Sequence, residues 1–461
     1  MRSLLPFFVC LTLLVQGYQA TAQEPSDPPQ DADESNLWTR EGVDWPTFLG
    51  VDRTGKSSET GLNFDWDNQL PPVVWQKRFG ESYSMGVVSK GRFFHLERVK
   101  DPENEGDLER AVCLNAETGE QLWQTAWPTD YRDTYGFDGG PRCSPIVDGD
   151  RLYAFGVQGI LYCMNVSNGD TIWKVDTNEK FGVIQNFFGV GSSPLVFQDL
   201  LIVMIGGSPA ESADVPSSQL DRVKPNGSAI VAFDKMTGEV RYQTIDDLAS
   251  YASPVVADLN GSMTGLAFSR SGLYSFDPLT GEQGFEFPYR ARKFESVNAS
   301  TPVVVDSKIL LTESYGLGGV LLELKDGQPQ KVWSDDGIRD ASLACHWNTP
   351  VVVGDYAYAS SGEKQSTAML QCIRLSDGKV MWSQPRLTRS SLTLAEGHLF
   401  VATESGRLLV VRATHEEYDL VAEYPKESLP MRYPCWGAPI VSHGYLYVRD
   451  KSNVFCIDLQ K

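Results

Sequence analysis

The sequence predicts an all-β fold, an eight-bladed β-propeller built from four-stranded antiparallel blades. Three observations indicate it. A short β-branched run with a Ser-Pro or similar start recurs eight times, a glycine turn recurs later in most units, and an aromatic residue follows that turn. A period of about 40 to 50 residues with four strands in each unit is typical of propeller blades.

The clearest unit spans residues 143–175. It reads Cys143-Ser-Pro-Ile-Val, Asp148-Gly-Asp, Arg151-Leu-Tyr-Ala-Phe, Gln158-Gly, Ile160-Leu-Tyr-Cys-Met-Asn, Ser167-Asn-Gly-Asp and Thr171-Ile-Trp-Lys-Val. Short β-branched and aromatic runs separated by Gly, Asn and Asp turns predict four strands joined by tight hairpins, here called A to D.

The start of strand A marks each unit. It recurs at Met85-Gly86, Ser144-Pro145, Ser193-Pro194, Ser253-Pro254, Thr301-Pro302, Thr349-Pro350, Ser391-Leu392 and Ala438-Pro439. Consecutive starts are 42 to 60 residues apart, and the two widest intervals carry insertions at Glu97–Arg110 and Ser208–Pro225. The eight starts therefore predict eight blades.

The turn between strands C and D and the aromatic anchor of strand D also repeat. The turns are Glu117-Thr-Gly-Glu, Asn168-Gly-Asp, Met236-Thr-Gly-Glu, Leu279-Thr-Gly-Glu and Ser376-Asp-Gly-Lys, and the anchors are Trp123, Trp173, Tyr242, Phe285, Trp333, Trp382 and Tyr424. Eight A strands with seven anchors leave one D strand missing. The segment around Trp75 has the D pattern, so the N-terminal strand is expected to complete the last blade and remove the open sheet edges.

The N-terminus predicts export. Arg2, an apolar run of about a dozen residues and Ala20-Thr-Ala22 have the layout of a cleavable signal peptide, and the run is too short to span a bilayer. We expect a signal peptide at residues 1–22, a disordered acidic leader at 23–43, and one propeller domain at 44–461. The mature chain is expected in the periplasm or outside the cell, as a monomer without a membrane span.

The net charge restricts the possible partners, and the cysteine content restricts the possible metal or redox sites. The formal net charge of −20 would repel nucleic acid, so no nucleic-acid partner is expected. Removing Cys10 with the signal leaves seven cysteines, an odd number, with no CxxC pair to suggest a zinc or redox site. Cys113, Cys163, Cys372 and Cys456 occupy one repeated C-strand position, where small apolar filler explains them.

The repeated unit resembles that of the pyrroloquinoline quinone (PQQ)-like propeller superfamily, over residues 44–461. That superfamily includes quinoprotein alcohol dehydrogenases and the outer-membrane protein assembly factor B lipoprotein. The opening Asp44-Trp-Pro-Thr-Phe-Leu-Gly50, with Arg53-Thr-Gly and Glu59-Thr-Gly-Leu62, is more specifically similar to exported PQQ-like repeat proteins of planctomycete type. The resemblance implies an eight-bladed propeller in the cell envelope.

A candidate ligand site is predicted at one mouth of the central channel. Residues just before each A strand gather there, and loops on a rigid scaffold commonly carry function. The predicted ligand-binding residues are Arg142, Cys143, Glu295, Asn298, His346, Trp347, Asn348 and Trp436. The alternative is that these groups only satisfy the backbone and fill the channel.

Neither a metal nor a cofactor is expected. Cys143, Cys345, Cys435 and His346 have ligand chemistry that suits zinc or copper, but their spacing over three blades is not a motif, and a disulfide or buried free thiols explain the cysteines better. Quinoprotein dehydrogenases carry an adjacent Cys-Cys pair that this chain lacks, so PQQ is not expected.

Two functions stay open. The first is a non-catalytic binding or scaffold protein of the cell envelope, which contacts protein or glycan through its loop rim. The second is a quinoprotein-like oxidoreductase or other enzyme with its site at the channel mouth, where His346 is the histidine placed for catalysis. The first is favoured because the sequence contains no complete catalytic set and no GxSxG or phosphate-binding motif.

Overall fold

The strands form a closed ring of eight antiparallel sheets. The computed structural model describes residues 36–133, 136, 139–183, 188–338 and 340–460. In each sheet four strands follow one another from the channel outwards, and the innermost strands of neighbouring sheets contact each other. This confirms the predicted eight-bladed propeller. The expected signal peptide and the leader up to residue 35 lie outside the described residues.

All eight predicted A strands are present, with a two-residue strand, β1 (Lys56–Ser57), added to blade 7. Blades 1 to 4 contain β3 (Val87–Ser89), β4 (Arg92–Lys100), β5 (Asp107–Asn115) and β6 (Gln121–Thr129); β7 (Ile146–Asp148), β8 (Arg151–Phe155), β9 (Ile160–Asn165) and β10 (Thr171–Asp176); β11 (Leu195–Phe197), β12 (Leu200–Met204), β13 (Ile230–Asp234) and β14 (Val240–Thr244); and β15 (Val255–Leu259), β16 (Ser262–Phe268), β17 (Gly272–Phe276) and β18 (Gln283–Pro288). Blades 5 to 8 contain β19 (Val303–Val305), β20 (Lys308–Glu313), β21 (Gly318–Lys325) and β22 (Gln328–Ser334); β23 (Val351–Val353), β24 (Tyr356–Ser361), β25 (Met369–Arg374) and β26 (Val380–Pro385); β27 (Ser390–Ala395), β28 (His398–Thr403), β29 (Leu408–Arg412) and β30 (Asp419–Glu423); and β31 (Ile440–Ser442), β32 (Tyr445–Arg449) and β33 (Asn453–Asp458), with β2 (Val73–Arg78) as the outer strand of blade 8.

The N-terminal strand closes the ring, as predicted. Strand β2 pairs antiparallel with β33 and places Trp75 opposite Cys456. The first regular outer strand therefore completes the last blade, and the two ends of the repeat array are joined by backbone hydrogen bonds.

The hydrophobic core is divided among the blade interfaces. Eight buried clusters each combine residues from two neighbouring blades, and together they run once around the ring. Since a single sheet exposes both faces, each blade gains stability only by packing against the next one.

The aromatic anchors fasten each blade to the next. Trp382 Nε1 donates to the carbonyl of Thr414 in blade 7 at 2.8 Å, and Trp123 Nε1 donates to Val166 in blade 2 at 2.9 Å. The turn glycine packs on the preceding anchor, because a Cβ on Gly378, where φ is +70°, would lie 2.9 Å from the Trp333 ring. The repeated glycine and the repeated aromatic are thus two halves of one contact between blades.

The four repeated cysteines lie directly across the ladder from tryptophan anchors. The pairs are Cys113 with Trp123, Cys163 with Trp173, Cys372 with Trp382 and Cys456 with Trp75. All seven described cysteines are buried free thiols, which answers the alternative left open between disulfides and free thiols.

Blade 7 departs from the predicted anchor pattern. Its ladder register aligns Ala422, not Tyr424, with the anchors of the other blades, because Ala422 faces Val410 as Trp382 faces Cys372. Trp66, from the chain before β2, packs in the same cluster as Ala422 and edge-on to Tyr424 at 5.6 Å. Tyr424 is nevertheless buried in this cluster, and its hydroxyl donates to Pro71 O just before β2 at 2.5 Å, so it anchors blade 7 to blade 8 from two residues past the register of the other anchors.

The chain before residue 44 already contacts the propeller. Leu37 donates its backbone N–H to Lys90 O at 3.1 Å, and Arg40 forms an ion pair with Asp458 at 2.9 Å. The domain as the structure describes it therefore includes residues 36–43, which were assigned to the leader.

Helical structure is sparse. Among the described residues it comprises α1 (Thr177–Phe181) and two 3₁₀ segments, Ala210–Ser212 and Ser217–Arg222, which lie within the second insertion. The first insertion instead lies in the long β4–β5 hairpin. Over the described part of the chain, no helix is both long and apolar enough to cross a bilayer.

Candidate functional site

The segment of residues 45–57, here called the channel plug, spans the central channel. Trp45 exchanges two backbone hydrogen bonds with Val88 of blade 1, and Pro46 O accepts from Val147 of blade 2. Further along the segment β1 runs parallel to β27 of blade 7, and Ser57 Oγ donates to Val441 O of blade 8 at 2.8 Å. The motif that carried the closer sequence resemblance is therefore a plug held by the inner strands of the consecutive blades 7, 8, 1 and 2.

Arg53 fixes the plug to blades 3 and 4. Its guanidinium donates to the carbonyls of Pro194 at 3.0 Å and Pro254 at 3.3 Å. Burial lowers the pKa of Arg53 to about 10, which still leaves the side chain charged near neutral pH. Carbonyl oxygens of the repeated Ser-Pro starts thus compensate for the lost hydration of this cation.

Above the plug lies a cavity of about 400 Å³, here called the aromatic cup. Its floor is apolar and includes Phe48 and Leu49 of the plug together with Met85 and Leu392. Such a volume is within the range of small-molecule sites. The predicted channel-mouth site is therefore a concave pocket that opens on one face of the ring.

All eight blades contribute a residue from near the start of their A strand to the wall of the cup. In blade order these are Tyr83, Arg142, Phe188, Tyr251, Val297, Trp347, Arg389 and Trp436. The wall is thus assembled from residues about one repeat apart in sequence.

The aromatic rings of the wall support one another. Trp436 stacks on Tyr83 with ring centroids 4.2 Å apart and 7° between the planes. Trp347 meets Trp436 at 5.6 Å and 61°, and His346 meets Trp347 at 5.1 Å and 74°. Offset and edge-to-face contacts of this kind stabilise ring positions, so this arc of the wall is rigid.

Both arginines of the wall already have carboxylate partners. Arg142 contacts Asp133 at 2.6 Å and lies over the Tyr83 ring at 4.1 Å. Arg389 forms a two-pronged pair with the fully buried Glu404, at 3.0 and 2.9 Å, and lies over Trp347 at 4.5 Å. The wall therefore contains two cations, and a carboxylate of the protein neutralises the charge of each.

The hydroxyls of the Ser-Pro and Thr-Pro starts form a belt along the channel from blade 2 to blade 6. The belt consists of Ser144 N to Ser193 Oγ at 2.9 Å, Ser193 N to Ser253 Oγ at 3.0 Å, Ser253 N to Thr301 Oγ1 at 3.3 Å and Thr301 N to Thr349 Oγ1 at 3.2 Å. Each bond joins one blade to the next. Several hydroxyls that line the cup are therefore engaged in holding the ring together.

His346 is a neutral imidazole in this site. Burial, together with the charges of Arg389 and Lys293, lowers its pKa to about 3. Its Nε2 lies 3.3 Å from Tyr315 Oη, whereas its Nδ1 and the neighbouring Trp347 Nε1 are buried without a partner among the described residues. Unpaired buried polar atoms are uncommon, and Asn348 Nδ2 in the same stretch is a third.

The structure brings together six of the eight predicted ligand-binding residues. Arg142, Glu295, His346, Trp347, Asn348 and Trp436 line the cup. Cys143 is fully buried behind the wall, and its thiol lies 3.2 Å from Ser192 O. Asn298 donates to the carbonyls of Ser269 and Tyr289 at 2.8 and 3.2 Å, so its amide supports backbone away from the cup.

The cysteines of this layer are inert. Cys345 and Cys435 are fully buried, and desolvation raises the pKa of each thiol to about 12. Desolvation also raises the pKa of Cys143. Among the described residues, no three His, Cys, Asp or Glu side chains are grouped as metal ligands.

Six wall residues and the floor were not among the predicted ligand-binding residues. The wall residues are Tyr83, Phe188, Tyr251, Val297, Tyr315 and Arg389, and the floor includes Phe48 and Leu49. Tyr83, Tyr251 and Arg389 each precede an A-strand start by two residues, as Arg142 and Trp347 do, so the repeat register could have identified them.

The second insertion supports the blade 3 side of the cup. Its Leu220 and Val223 form a buried cluster with Val297, against which Phe188 and Tyr251 pack. Asp221 forms ion pairs with Arg270 at 2.8 Å and Arg290 at 2.6 Å. The insertion thus backs one wall and is fastened to blade 4.

The fold and the cup define a class of protein, an eight-bladed propeller with a channel plug below an aromatic cup. A family model described as "Outer membrane protein assembly factor BamB" matches residues 107–384, more than half of the chain, and the chain belongs to this family. No curated protein sequence matches it significantly.

Solved structures share the fold at low sequence identity. Quinohemoprotein alcohol dehydrogenase from Comamonas testosteroni is 12% identical with a TM-score of 0.60, covering 90% of this chain and 80% of its own. BamB from Moraxella catarrhalis is 14% identical with a TM-score of 0.50, covering 79% and 97%. A europium-containing methanol dehydrogenase is 11% identical with a TM-score of 0.50, covering 90% and 98%. At such identities the likeness concerns the fold alone.

Proposed function

We propose that this protein is an exported, non-catalytic binding protein of the cell envelope that holds its ligand in the aromatic cup. One observation carries the proposal: the cup is a concave pocket with a wall of mutually packed rings, and its two wall arginines are already paired within the protein. A pocket of this kind binds its ligand by shape and apolar contact, and it has few free polar groups that could act in catalysis.

The chemistry of the titratable groups supports binding over catalysis. A role of His346 as general base is disfavoured because its lowered pKa makes the imidazole a weak base near neutral pH. Cys345 and Cys435, with their raised pKa values, cannot supply a thiolate nucleophile. The wall arginines balance Asp133 and Glu404 instead of a developing charge.

A quinone cofactor of the PQQ type fits these residues poorly. That cofactor is a multiply charged anion, whereas the wall cations Arg142 and Arg389 are each neutralised by a carboxylate. The proposal therefore includes no resident quinone.

Ligand binding tests the proposal through matched variants. We would screen metabolites and short peptides by thermal shift on the wild type, on Trp436→Ala in the cup, and on Tyr356→Ala on blade 6, whose ring stacks on His415 outside the cup. We expect ligands whose stabilisation is lost in Trp436→Ala and kept in Tyr356→Ala. If every ligand acts equally on both variants, the cup is not the site.

Cofactor titration tests the proposal that the protein is non-catalytic. Absorbance of the pure protein with added PQQ and calcium is expected to equal the sum of the components. A saturable quinone signal that disappears in Trp436→Ala would favour the oxidoreductase alternative.

Export is tested by the mature N-terminus. Mass spectrometry of protein recovered from the native envelope is expected to give a chain that starts near Gln23. An intact residue 1 on functional protein would contradict the export proposal.

A further inference from the structure

We infer that the guest of the aromatic cup is an uncharged compound with an aromatic ring, either a free small molecule or the aromatic side chain of a partner polypeptide. This inference rests on the proposed binding function and adds the chemical class of the ligand.

The charge of the guest follows from the two wall arginines. Arg142 lies over the Tyr83 ring at 4.1 Å and Arg389 over the Trp347 ring at 4.5 Å, so these aromatic faces already hold cations. The exposed carboxylate of Glu295 also lines the cup, but a cationic guest, which aromatic cages otherwise attract, would meet two guanidinium groups at the wall. An anionic guest gains little, because Asp133 and Glu404 already occupy the strong donors of both arginines.

A saccharide is disfavoured by the hydroxyl belt and by the floor. Sugar hydroxyls need many polar partners, but the oxygens of Ser193, Ser253 and Thr349 accept backbone N–H groups of neighbouring blades. The floor around Phe48 and Leu49 supplies only apolar surface. A hydroxyl-rich guest would leave polar groups unpaired, which costs binding free energy.

The rigidity of the wall favours an aromatic ring over a flexible chain. Trp436 is fixed by stacking on Tyr83 and by donating from its Nε1 to Glu404 at 3.0 Å. A preformed wall of rings makes stacking and edge contacts with a flat guest, and a flat guest loses little conformational entropy on binding. His346 and Asn348 also line the cup, so polar side chains are present for one polar substituent on that ring.

Matched probes test the class directly. Isothermal titration would compare 2-naphthol with decahydro-2-naphthol, which keeps the carbon skeleton and the hydroxyl but lacks the aromatic ring, and with 2-naphthalenesulfonate and cellobiose. We expect 2-naphthol to bind about tenfold or more tightly than each of the others. Trp436→Leu should weaken its binding about tenfold, and Trp436→Phe should restore most of it, whereas Tyr356→Leu should change nothing.

Blocked peptides distinguish the two sources of the ring. Acetyl-Gly-Gly-Trp-Gly-amide and its alanine analogue would be titrated beside 2-naphthol. Tighter binding of the tryptophan peptide than of 2-naphthol assigns the cup to a polypeptide partner, and the reverse order assigns it to a small molecule; both orders support the aromatic class.

Two outcomes would overturn the inference. Binding of decahydro-2-naphthol or cellobiose as tightly as 2-naphthol, with the same loss in Trp436→Leu, would keep the cup as the binding site and reject the aromatic class. Naphthol binding that is equal in the wild type and in a folded Trp436→Leu variant, judged by an unchanged circular dichroism spectrum, would reject the cup as the site of the aromatic ring.

Discussion

At the scale of single residues, the Ser-Pro start has a function that its sequence pattern does not reveal. Its proline begins the A strand on the channel side, where no further strand needs its N–H, and its serine hydroxyl accepts from the preceding blade. A repeated dipeptide thereby becomes a repeated bond between blades.

Ser253→Ala tests the belt. It removes the acceptor for the Ser193 N–H, which is buried, and an unpaired buried donor costs about 1 to 3 kcal/mol. We expect the free energy of unfolding, measured by chemical denaturation, to fall by that amount. The control Ser262→Ala changes an exposed serine of β16 and should stay within about 0.5 kcal/mol of the wild type.

The buried imidazole of His346 predicts a pH dependence of stability. Its pKa of about 3 in the folded protein lies below the ordinary value of 6.5, so between these values the unfolded chain binds a proton that the folded chain does not. Stability therefore falls as the pH is lowered through this window. Between pH 7.5 and 5, the wild type should lose about 1 to 2 kcal/mol more than His346→Gln in denaturant melts. Equal losses would place His346 in a more hydrated site.

The position of the cup could be predicted from the sequence, but its composition only in part. Trp347 and Trp436 can be recognised from the sequence as candidate site residues, because they are tryptophans outside the anchor pattern. Tyr83 and Tyr251 occupy the same repeat position, two residues before an A-strand start, so the register of the repeat identifies them as well. Cys143 and Asn298 were wrongly expected in the pocket because adjacent residues of an extended chain point to opposite sides.

At the scale of elements, the repeat made the blades predictable because each strand type performs the same task in every blade. The glycine turn and the anchor form one contact, so both recur together. The eight outer strands also share a β-bulge just before the anchor position, which interrupts the outer edge and discourages pairing with other chains. The packing of Trp66 beside Ala422 could not be predicted, because no local sequence pattern relates the two residues.

Trp382→Ala tests the anchor contact. It should lower the free energy of unfolding by about 3 to 5 kcal/mol, because it removes a large buried ring and the bond to Thr414 O. Trp66→Ala should cost a similar amount if Trp66 replaces the blade 7 anchor. Chemical melts that show Trp66→Ala close to wild type, with Trp382→Ala strongly destabilised, would reject that equivalence.

The second insertion is predicted to depend on Asp221. Asp221→Ala removes both ion pairs that hold the insertion to blade 4, while Leu220 and Val223 stay in place. Hydrogen exchange followed by mass spectrometry should be faster in residues 209–225 than in the wild type, and unchanged in blade 7. Exchange that rises equally throughout the ring would indicate global destabilisation instead.

At the scale of the whole molecule, ring closure joins two segments that are far apart in sequence. Strand β2 pairs with β33, the plug pairs with β27, and Arg40 reaches Asp458. All three contacts bring N-terminal residues to blades 7 and 8. Since joining β2 to β33 closes a very long loop of chain at a cost in entropy, we expect the ring to open first where blade 8 meets β2.

A disulfide across this closure tests that idea. Arg78 and Asn453 are ladder partners at the ends of β2 and β33, and such pairs have a Cα separation compatible with a disulfide. Arg78→Cys with Asn453→Cys would restrict the opened chain over a very long loop, so the oxidised form is expected to be about 2 to 5 kcal/mol more stable than the reduced form. The control pair Lys308→Cys with Glu323→Cys staples β20 to β21 within blade 5 and encloses a short loop, so its gain should be smaller. If both staples stabilise the protein equally, closure by the N-terminal strand is not the weak point, and unfolding begins at another blade interface.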